Sequence, residues 1–175
     1  SRMQRELAAI AVARVARSDP RMAAEQLARL EGKLQASERG WAWSVVGWRA
    51  ALRHMPEALD WYRQAGDVPL SDEVSQWKVR AALRASDWGT VRRTIERMPE
   101  ALASQPSWVY WLGRAYRAGG RLDEAQGLFR RIAGQPNFYG NLADEELGRG
   151  IVTPPRAQQP TRDELAQMAA RPEIR

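Results

Sequence analysis

The sequence predicts an all-α protein in which antiparallel helical hairpins stack into a curved superhelix, an α-solenoid. Alanine and arginine dominate the 175 residues, whereas only two Phe and four Tyr occur, and such a composition favours helix over strand. The pentapeptide Arg-Ala-Ala-Leu-Arg at 49–53 recurs letter for letter at 80–84. Internal repetition of this kind is typical of helical-repeat proteins. Apolar residues also recur at helical spacing along most of the chain.

The first hairpin is predicted within residues 1–34. Residues 1–17 carry apolar side chains at helical spacing, and we expect this face to be buried. The side chains are Leu7, Ile10, Ala11 and Val15. Asp19 fits an N-cap, and Pro20 fits the first position of a second helix. The apolar face of that helix comprises Ala23, Leu27, Leu30 and Leu34.

The second hairpin is predicted after a break at residues 37–40. Its first helix is expected to bury one apolar stripe. The stripe comprises Trp41, Val45, Trp48 and Leu52. Pro56 then opens a short partner helix. His54 lies in the turn between the two helices and is the only histidine, so a zinc site or a histidine triad would lack partners. We therefore interpret His54 as structural.

The third hairpin is predicted from its helix-start signals. Ser71 fits an N-cap, and the acids that follow it favour the positive end of a helix. The first helix is expected to bury Val74, Trp77, Ala81 and Ala85. The partner helix is predicted to begin at residues 87–88 and to end at Pro99, after which a loop reaches Pro106.

The fourth hairpin is the most distinctive stretch. Its large and small residues fall where a tetratricopeptide unit of about 34 residues places the set that packs its two helices together. They are Leu112, Gly113, Tyr116, Gly120, Ala125 and Phe129. A further helix is predicted from Phe138 to Leu147. Trp111 and Trp88 are expected to fill the joints between hairpins, as tryptophans in such arrays do.

The chain is predicted to divide into three parts. Residues 1–150 form the helical-repeat superhelix, and residues 151–160 are too rich in proline to continue a helix, so they form a connector. Residues 161–164, Thr-Arg-Asp-Glu, make a capping box that opens a further, truncated helical segment over 161–175. We interpret the start of the chain as trimmed and its end as a cut within a longer array.

The charge balance indicates weak attraction to anionic polymers. The formal net charge is +6, and Lys33 and Lys78 are the only lysines. Because the arginines are spread over every helix without a stripe of exposed aromatics, we expect solvated faces rather than a specific nucleic-acid site. The absence of cysteine excludes disulfides and thiol chemistry. No apolar run is long enough for a transmembrane helix.

The acidic clusters do not predict catalysis. They lie at 123–124, 144–146 and 163–164, and neighbouring residues on a helix point in different directions. We expect them to be solvated, with ordinary acidities. The sequence contains no phosphate-binding glycine loop, nucleophile elbow or metal-ligand cluster. We therefore assign no catalytic residue, no cofactor and no metal to this chain.

The run Phe-Tyr-Gly-x-Leu-Ala-x-x-x-Leu-Gly that follows the fourth hairpin resembles the superhelical domain of soluble lytic murein transglycosylases. The residues that carry this resemblance, all interpreted as structural, are Trp111, Gly113, Tyr116, Ala125, Phe129, Phe138, Tyr139, Gly140, Leu142, Ala143 and Leu147. The resemblance implies a periplasmic enzyme in which a ring of helical hairpins precedes a lysozyme-like domain. There, a glutamate in a Glu-Ser pair cleaves between N-acetylmuramic acid and N-acetylglucosamine and leaves a 1,6-anhydro end.

This sequence contains neither the Glu-Ser pair nor the Gly-Leu-Met-Gln run that accompanies it. The resemblance therefore implies a non-catalytic scaffold whose partners are its own catalytic domain and, through weak electrostatic attraction, the glycan strands. Two other interpretations remain. One is a free-standing tetratricopeptide-like adaptor that binds peptides or proteins. The weaker one is an arginine-rich RNA binder, since the aromatics are expected at packing positions rather than on a stacking surface.

Overall fold

The computed structural model describes residues 1–150, 156 and 159–170. Within these residues the chain forms eleven α-helices and a single 3-10 turn at Glu31–Lys33, without a β-strand. In chain order the helices are α1 (Arg2–Ala16), α2 (Pro20–Leu30), α3 (Ala36–Leu52), α4 (Ala58–Ala65), α5 (Asp72–Arg84), α6 (Trp88–Glu96), α7 (Glu100–Ala103), α8 (Pro106–Ala118), α9 (Leu122–Ile132), α10 (Phe138–Glu146) and α11 (Arg162–Ala169). The all-α fold class is confirmed.

The helices pack mainly on their neighbours in the chain. The pairs α1/α2, α3/α4, α5/α6 and α8/α9 form the four predicted hairpins. Successive hairpins contact each other through α1 and α3, α3 and α5, α6 and α8, and α8 and α10. The apolar core is correspondingly divided into three clusters along the array. Such nearest-neighbour packing is how a helical solenoid buries its core.

Short polar side chains begin several helices where the sequence predicts them. Asp19 accepts a hydrogen bond from the Met22 backbone N–H at 3.0 Å, with Pro20 at the first helical position. Ser71 caps α5, and Asp87 caps α6. Each cap satisfies a backbone N–H that has no partner inside the helix. These starts are local, which is why the sequence reveals them.

The predicted buried face of α1 is wrong. Leu7 and Ile10 are more than half exposed, whereas the buried residues of α1 are the smaller Ala9, Val12 and Ala16. α1 packs on both α2 and α3, and small side chains allow this close approach. The helix therefore turns its larger apolar side chains to solvent.

The predicted break at residues 37–40 is also wrong, because α3 runs through it. Gly40 is buried in the helix, and an added Cβ would collide with the Val68 side chain and the Ala65 carbonyl oxygen. The stripe shifts accordingly: Trp41 is exposed, and Trp43 is buried. A tertiary contact, rather than a turn, explains this glycine.

The loop predicted before Pro106 contains the short helix α7. Towards the other end, α11 begins with the predicted capping box, in which the Thr161 side chain accepts from the Glu164 N–H while the Glu164 side chain accepts from the Thr161 N–H. Most of the predicted connector, 151–155 and 157–158, lies outside the described residues, as do residues 171–175. The division into three parts stays a prediction.

Candidate functional site

The residues of the fourth hairpin and α10 gather around one apolar cluster formed by α8, α9 and α10. Five of the predicted motif residues are buried: Gly113, Ala125, Phe129, Gly140 and Ala143. Five more are partly buried around them: Trp111, Tyr116, Tyr139, Leu142 and Leu147. The cluster thus joins the hairpin to the helix that follows it.

Phe138 is the one motif residue that stays outside this cluster. Its ring is 69% exposed and contacts the neighbouring Tyr139 ring edge-on, with centroids 5.2 Å apart. Asn137 caps α10 by accepting from the Gly140 N–H at 2.8 Å. Phe138 is thereby the first residue of the helix. At this position its side chain faces solvent rather than the α8/α9 hairpin.

Two glycines of the motif are required by close packing. A Cβ at Gly113 would lie 2.6 Å from Cε1 of Phe129, and real Cβ atoms essentially never approach so closely. A Cβ at Gly140 would collide with the backbone carbonyl of Gln135. Gly140 therefore packs against the loop before α10, and not against a neighbouring helix.

Tyr110, which the sequence did not single out, is the centre of the aromatic cluster. Its ring centroid lies 5.2 Å from that of Trp111, 5.8 Å from that of Phe129 and 5.7 Å from that of Tyr139. Its hydroxyl accepts from Arg114 at 3.0 Å. Aromatic pairs at these separations stabilise a core beyond their buried area. The sequence signal that could have revealed this cluster is the presence of three aromatic residues between positions 108 and 111.

Two acids of this region, Asp144 and Glu146, are held by protein donors, whereas Glu145 between them is exposed. Asp144 is 1% exposed, and its carboxylate accepts from the backbone N–H of Gly134 at 2.9 Å, which corrects the expectation of a solvated side chain. Glu146 is paired with Arg114 and Arg117. These carboxylates are held by fixed donors and do not face each other across a cleft.

Tyr116 links the fourth hairpin to α6. Its hydroxyl donates to Glu96 at 2.7 Å, and this hydrogen bond, together with burial, raises the pKa of Tyr116 above the usual value. Arg121 stacks on the same ring, with its guanidinium carbon 4.3 Å from the centroid. Tyr116 therefore fixes the position of α8 relative to the preceding hairpin.

A cavity of about 910 Å³ opens beside this cluster. The turn after α3, the helices α5 and α8, and one side chain of α10 contribute its polar and aromatic lining. These side chains are His54, Trp77, Arg80, Arg84, Ser107, Trp108, Trp111 and Tyr139. The volume lies in the range of ligand pockets in proteins.

One arginine of the cavity wall, Arg80, lies over two aromatic rings. The Arg80 guanidinium lies 4.9 Å from the Trp77 ring centroid and 5.3 Å from that of Trp108, both within cation–π range. Arg84 donates to the His54 carbonyl at 3.4 Å. These two rings are not an exposed stripe, because Trp108 is buried and Trp77 is partly buried.

The tryptophans differ in how deeply they are buried. Trp43 and Trp108 are buried, whereas Trp88 and Trp111, which the sequence predicts to fill joints, are only partly buried. His54 adopts a left-handed backbone conformation in its turn, with φ of 56°, and its ring centroid is 6.3 Å from that of Trp77. The turn thus brings the only histidine to the cavity rim, a location that its sequence position did not reveal.

Other kinds of site are not found among the described residues. No group of three or more His, Cys, Asp or Glu side chains in this part of the chain is placed to hold a metal ion. Nor is any helix of the described ranges both long and apolar enough to span a membrane. The cavity and the adjoining aromatic cluster are the candidate functional region.

The fold and this region define a helical-repeat protein with a ligand-sized cavity between its hairpins. No protein-family profile matches the chain. Curated relatives are nevertheless similar in sequence: the soluble lytic murein transglycosylases of Escherichia coli K12 and Salmonella typhimurium are each 26% identical over 147 residues, which are 82% of this chain. The chain spans only 23% of the length of these relatives.

Solved structures agree. The lytic transglycosylase Slt of Pseudomonas aeruginosa, solved as an inactive mutant, is 27% identical in sequence and superposes with a TM-score of 0.66. The match covers 82% of this chain and 24% of the Slt chain. The 70 kDa soluble lytic transglycosylase of Escherichia coli is 24% identical and superposes with a TM-score of 0.62, which shows the shared fold. This match covers 87% of this chain and 25% of the Escherichia coli chain. The resemblance to the soluble lytic murein transglycosylase family is confirmed.

Proposed function

We propose that this chain is part of the helical scaffold of a periplasmic lytic transglycosylase. In this proposal another domain cleaves peptidoglycan between N-acetylmuramic acid and N-acetylglucosamine. The observation that carries the proposal is the likeness to the Pseudomonas aeruginosa enzyme, which extends over 82% of this chain in both fold and sequence. The helices would hold the catalytic domain and shape the path of the glycan strand.

The acids described above support a scaffold rather than a catalytic role. A glycosidase needs a carboxylic acid that reaches the glycosidic oxygen. Asp144 is buried against a backbone N–H, and Glu146 is neutralised by two arginines. Attraction to the glycan would come mainly from the net charge of +6, which is weak and is screened by salt. We propose no specific nucleic-acid partner.

Digestion of purified peptidoglycan tests the proposal directly. The chain alone is expected to release no 1,6-anhydro-muropeptides at any pH, whereas the full-length Escherichia coli relative serves as the positive control. Products that appear in proportion to added chain, and that persist after repurification, would place catalysis in these residues and overturn the scaffold role.

The reading frame downstream of Arg175 separates this proposal from its alternative. A lysozyme-like segment with a Glu-Ser pair within a few hundred codons would support the scaffold. A stop codon before any such segment would favour the alternative, a free-standing adaptor that binds peptides or proteins. Sequencing the genomic locus is sufficient for this test.

A further inference from the structure

The polar groups of the 910 Å³ cavity described above are mostly hydrogen-bond donors. Arg80 and Arg84 bring positive charge, and among the described residues no Asp, Glu, Asn or Gln lines the cavity. A neutral sugar presents hydroxyl groups that both donate and accept, so it binds best to mixed walls. A wall of donors instead matches an anion rich in acceptors.

Arg80 is available for such an anion. In the described ranges it forms no ion pair with a carboxylate, and its guanidinium is held between the rings of Trp77 and Trp108. The side chain is exposed, and a guanidinium that lies over aromatic rings keeps N–H groups for a ligand. A planar carboxylate can accept two of these N–H groups at once. Arg80 is therefore positioned as a carboxylate-binding residue.

Trp108 adds aromatic surface to this wall beside Arg80. Its side chain lines the cavity and is only 4% exposed, yet its indole Nε1 has no hydrogen-bond partner within the described part of the protein. A buried donor without an acceptor costs stability and is rare in native proteins. Because this N–H is itself enclosed by protein, it is a local cost to stability and not a contact for the ligand.

The remaining wall is apolar and suits the hydrocarbon parts of a peptide. Trp77, Trp111 and Tyr139 present aromatic surface, and Ser107 lies in the first turn of α8, where the helix dipole favours negative charge. We propose that this cavity binds a short acidic peptide, with a carboxylate paired to Arg80 and apolar groups packed on Trp77 and Trp111. This binding activity goes beyond the scaffold role and does not depend on it.

Titration calorimetry with three probes tests the ligand class. The first is an acetylated Ala-Glu-Ala-Ala peptide with a free C-terminus, the second is its uncharged analogue with Gln and a C-terminal amide, and the third is an N-acetylglucosamine tetramer. The acidic peptide is expected to bind about tenfold or more tightly than the analogue, the range of a lost charge-assisted hydrogen bond. Equal affinity for the two peptides, or tighter binding of the neutral sugar, would overturn the proposal.

Matched variants test the site. Arg80→Gln is expected to weaken acidic-peptide binding about tenfold, whereas Arg130→Gln removes the same charge from an exposed position on α9 outside the cavity lining and should leave binding unchanged. Trp108→Phe keeps an aromatic face beside Arg80 and should weaken binding by a smaller factor. Thermal melts establish that each variant is folded. If both arginine variants lost the same affinity for the acidic peptide, the loss would be an effect of net charge alone. That result would contradict the assignment of the site.

Two further binding measurements determine whether the peptide comes from the cell wall or from another protein. Peptides released from murein and all-L peptides of matched charge and length are compared on the same protein. Preferential binding of the murein peptides assigns the ligand to the cell wall, and preferential binding of the all-L peptides assigns it to a segment of another protein. Failure of both to bind would overturn the acidic-peptide site while leaving the scaffold proposal untouched.

Discussion

Gly113 on α8 lies against the ring of Phe129 on α9, with room for a hydrogen but not for a methyl group. A Cβ at Gly113 would be 2.6 Å from Cε1 of Phe129. The second hairpin repeats this relationship, since a Cβ at Gly47 would lie 3.0 Å from both Cγ and the backbone nitrogen of Tyr62. In both hairpins a glycine on the first helix accepts an aromatic ring from the second.

Gly113→Ala is therefore expected to destabilise the protein, although alanine is the better helix former. Overpacking a closed core costs about 1–3 kcal/mol. The free energy of unfolding from urea titration, followed by circular dichroism, measures the loss. Gly127→Ala is the matched control, because Gly127 lies in α9 and a Cβ added there would meet no atom within 4 Å. That change should stabilise by about 0.5–1 kcal/mol, and a stabilising Gly113→Ala would contradict the packing described here.

Tyr62 is expected to make stability fall at alkaline pH. Its side chain is fully buried, its hydroxyl donates to the Val74 carbonyl at 2.9 Å, and burial raises the pKa of Tyr62 well above the usual value. An unfolded tyrosine loses its proton near pH 10. The contribution of Tyr62 is therefore fully present below about pH 10 and is lost as pH rises towards its folded pKa.

Tyr62→Phe separates this effect from general alkaline denaturation. The variant should lose about 1 kcal/mol at pH 7, because the Val74 carbonyl loses its donor. Above pH 10 its unfolding free energy should decline less steeply than that of the wild type, by up to about 1.4 kcal/mol per pH unit. Urea titrations at pH 7, 9 and 11 measure both quantities. Parallel declines for the two proteins would show that Tyr62 ionises equally in both states.

The sequence predicts well the features that depend on residues close to one another in the chain. The caps at Asp19 and Ser71 depend on a side chain three residues from its N–H partner. Gly113 and Phe129 fall at the spacing at which a tetratricopeptide unit packs its two helices, so the sequence predicts their joint as well.

Features that depend on distant segments were not predictable in this way. α1 carries apolar residues on more than one face, and only its packing on α2 and α3 decides that Ala9 is buried and Ile10 exposed. In the sequence, Gly40 indicates a break in the helix. The structure shows instead that a side chain at this position would collide with Val68. The cavity requires α5 and α8 to face each other across a gap, and periodicity within either helix contains no information about that gap.

Asp144 is expected to be more important for stability than the acid beside it. Its buried carboxylate accepts from the Gly134 N–H at the turn that ends the fourth hairpin. Asp144→Ala leaves this N–H without its acceptor and should cost about 1–3 kcal/mol. Glu145→Ala, at an exposed neighbouring position, should change the unfolding free energy by less than about 0.5 kcal/mol. If both variants melt alike, the hydrogen bond contributes nothing measurable.

Trp41 and Trp43 allow a test of which face of α3 is buried. They lie two residues apart on the same helix, but Trp43 is 5% exposed and Trp41 is 42% exposed. The Trp43 indole also donates to Glu31 at 2.8 Å. Trp43→Ala should therefore cost about 3–5 kcal/mol, and Trp41→Ala should cost less because 42% of Trp41 is already exposed. Urea titration of both variants measures the difference. The sequence pattern alone places Trp41 in the buried stripe, so a larger loss for Trp41→Ala would restore that face and contradict the continuous α3 with Gly40 packed on Val68.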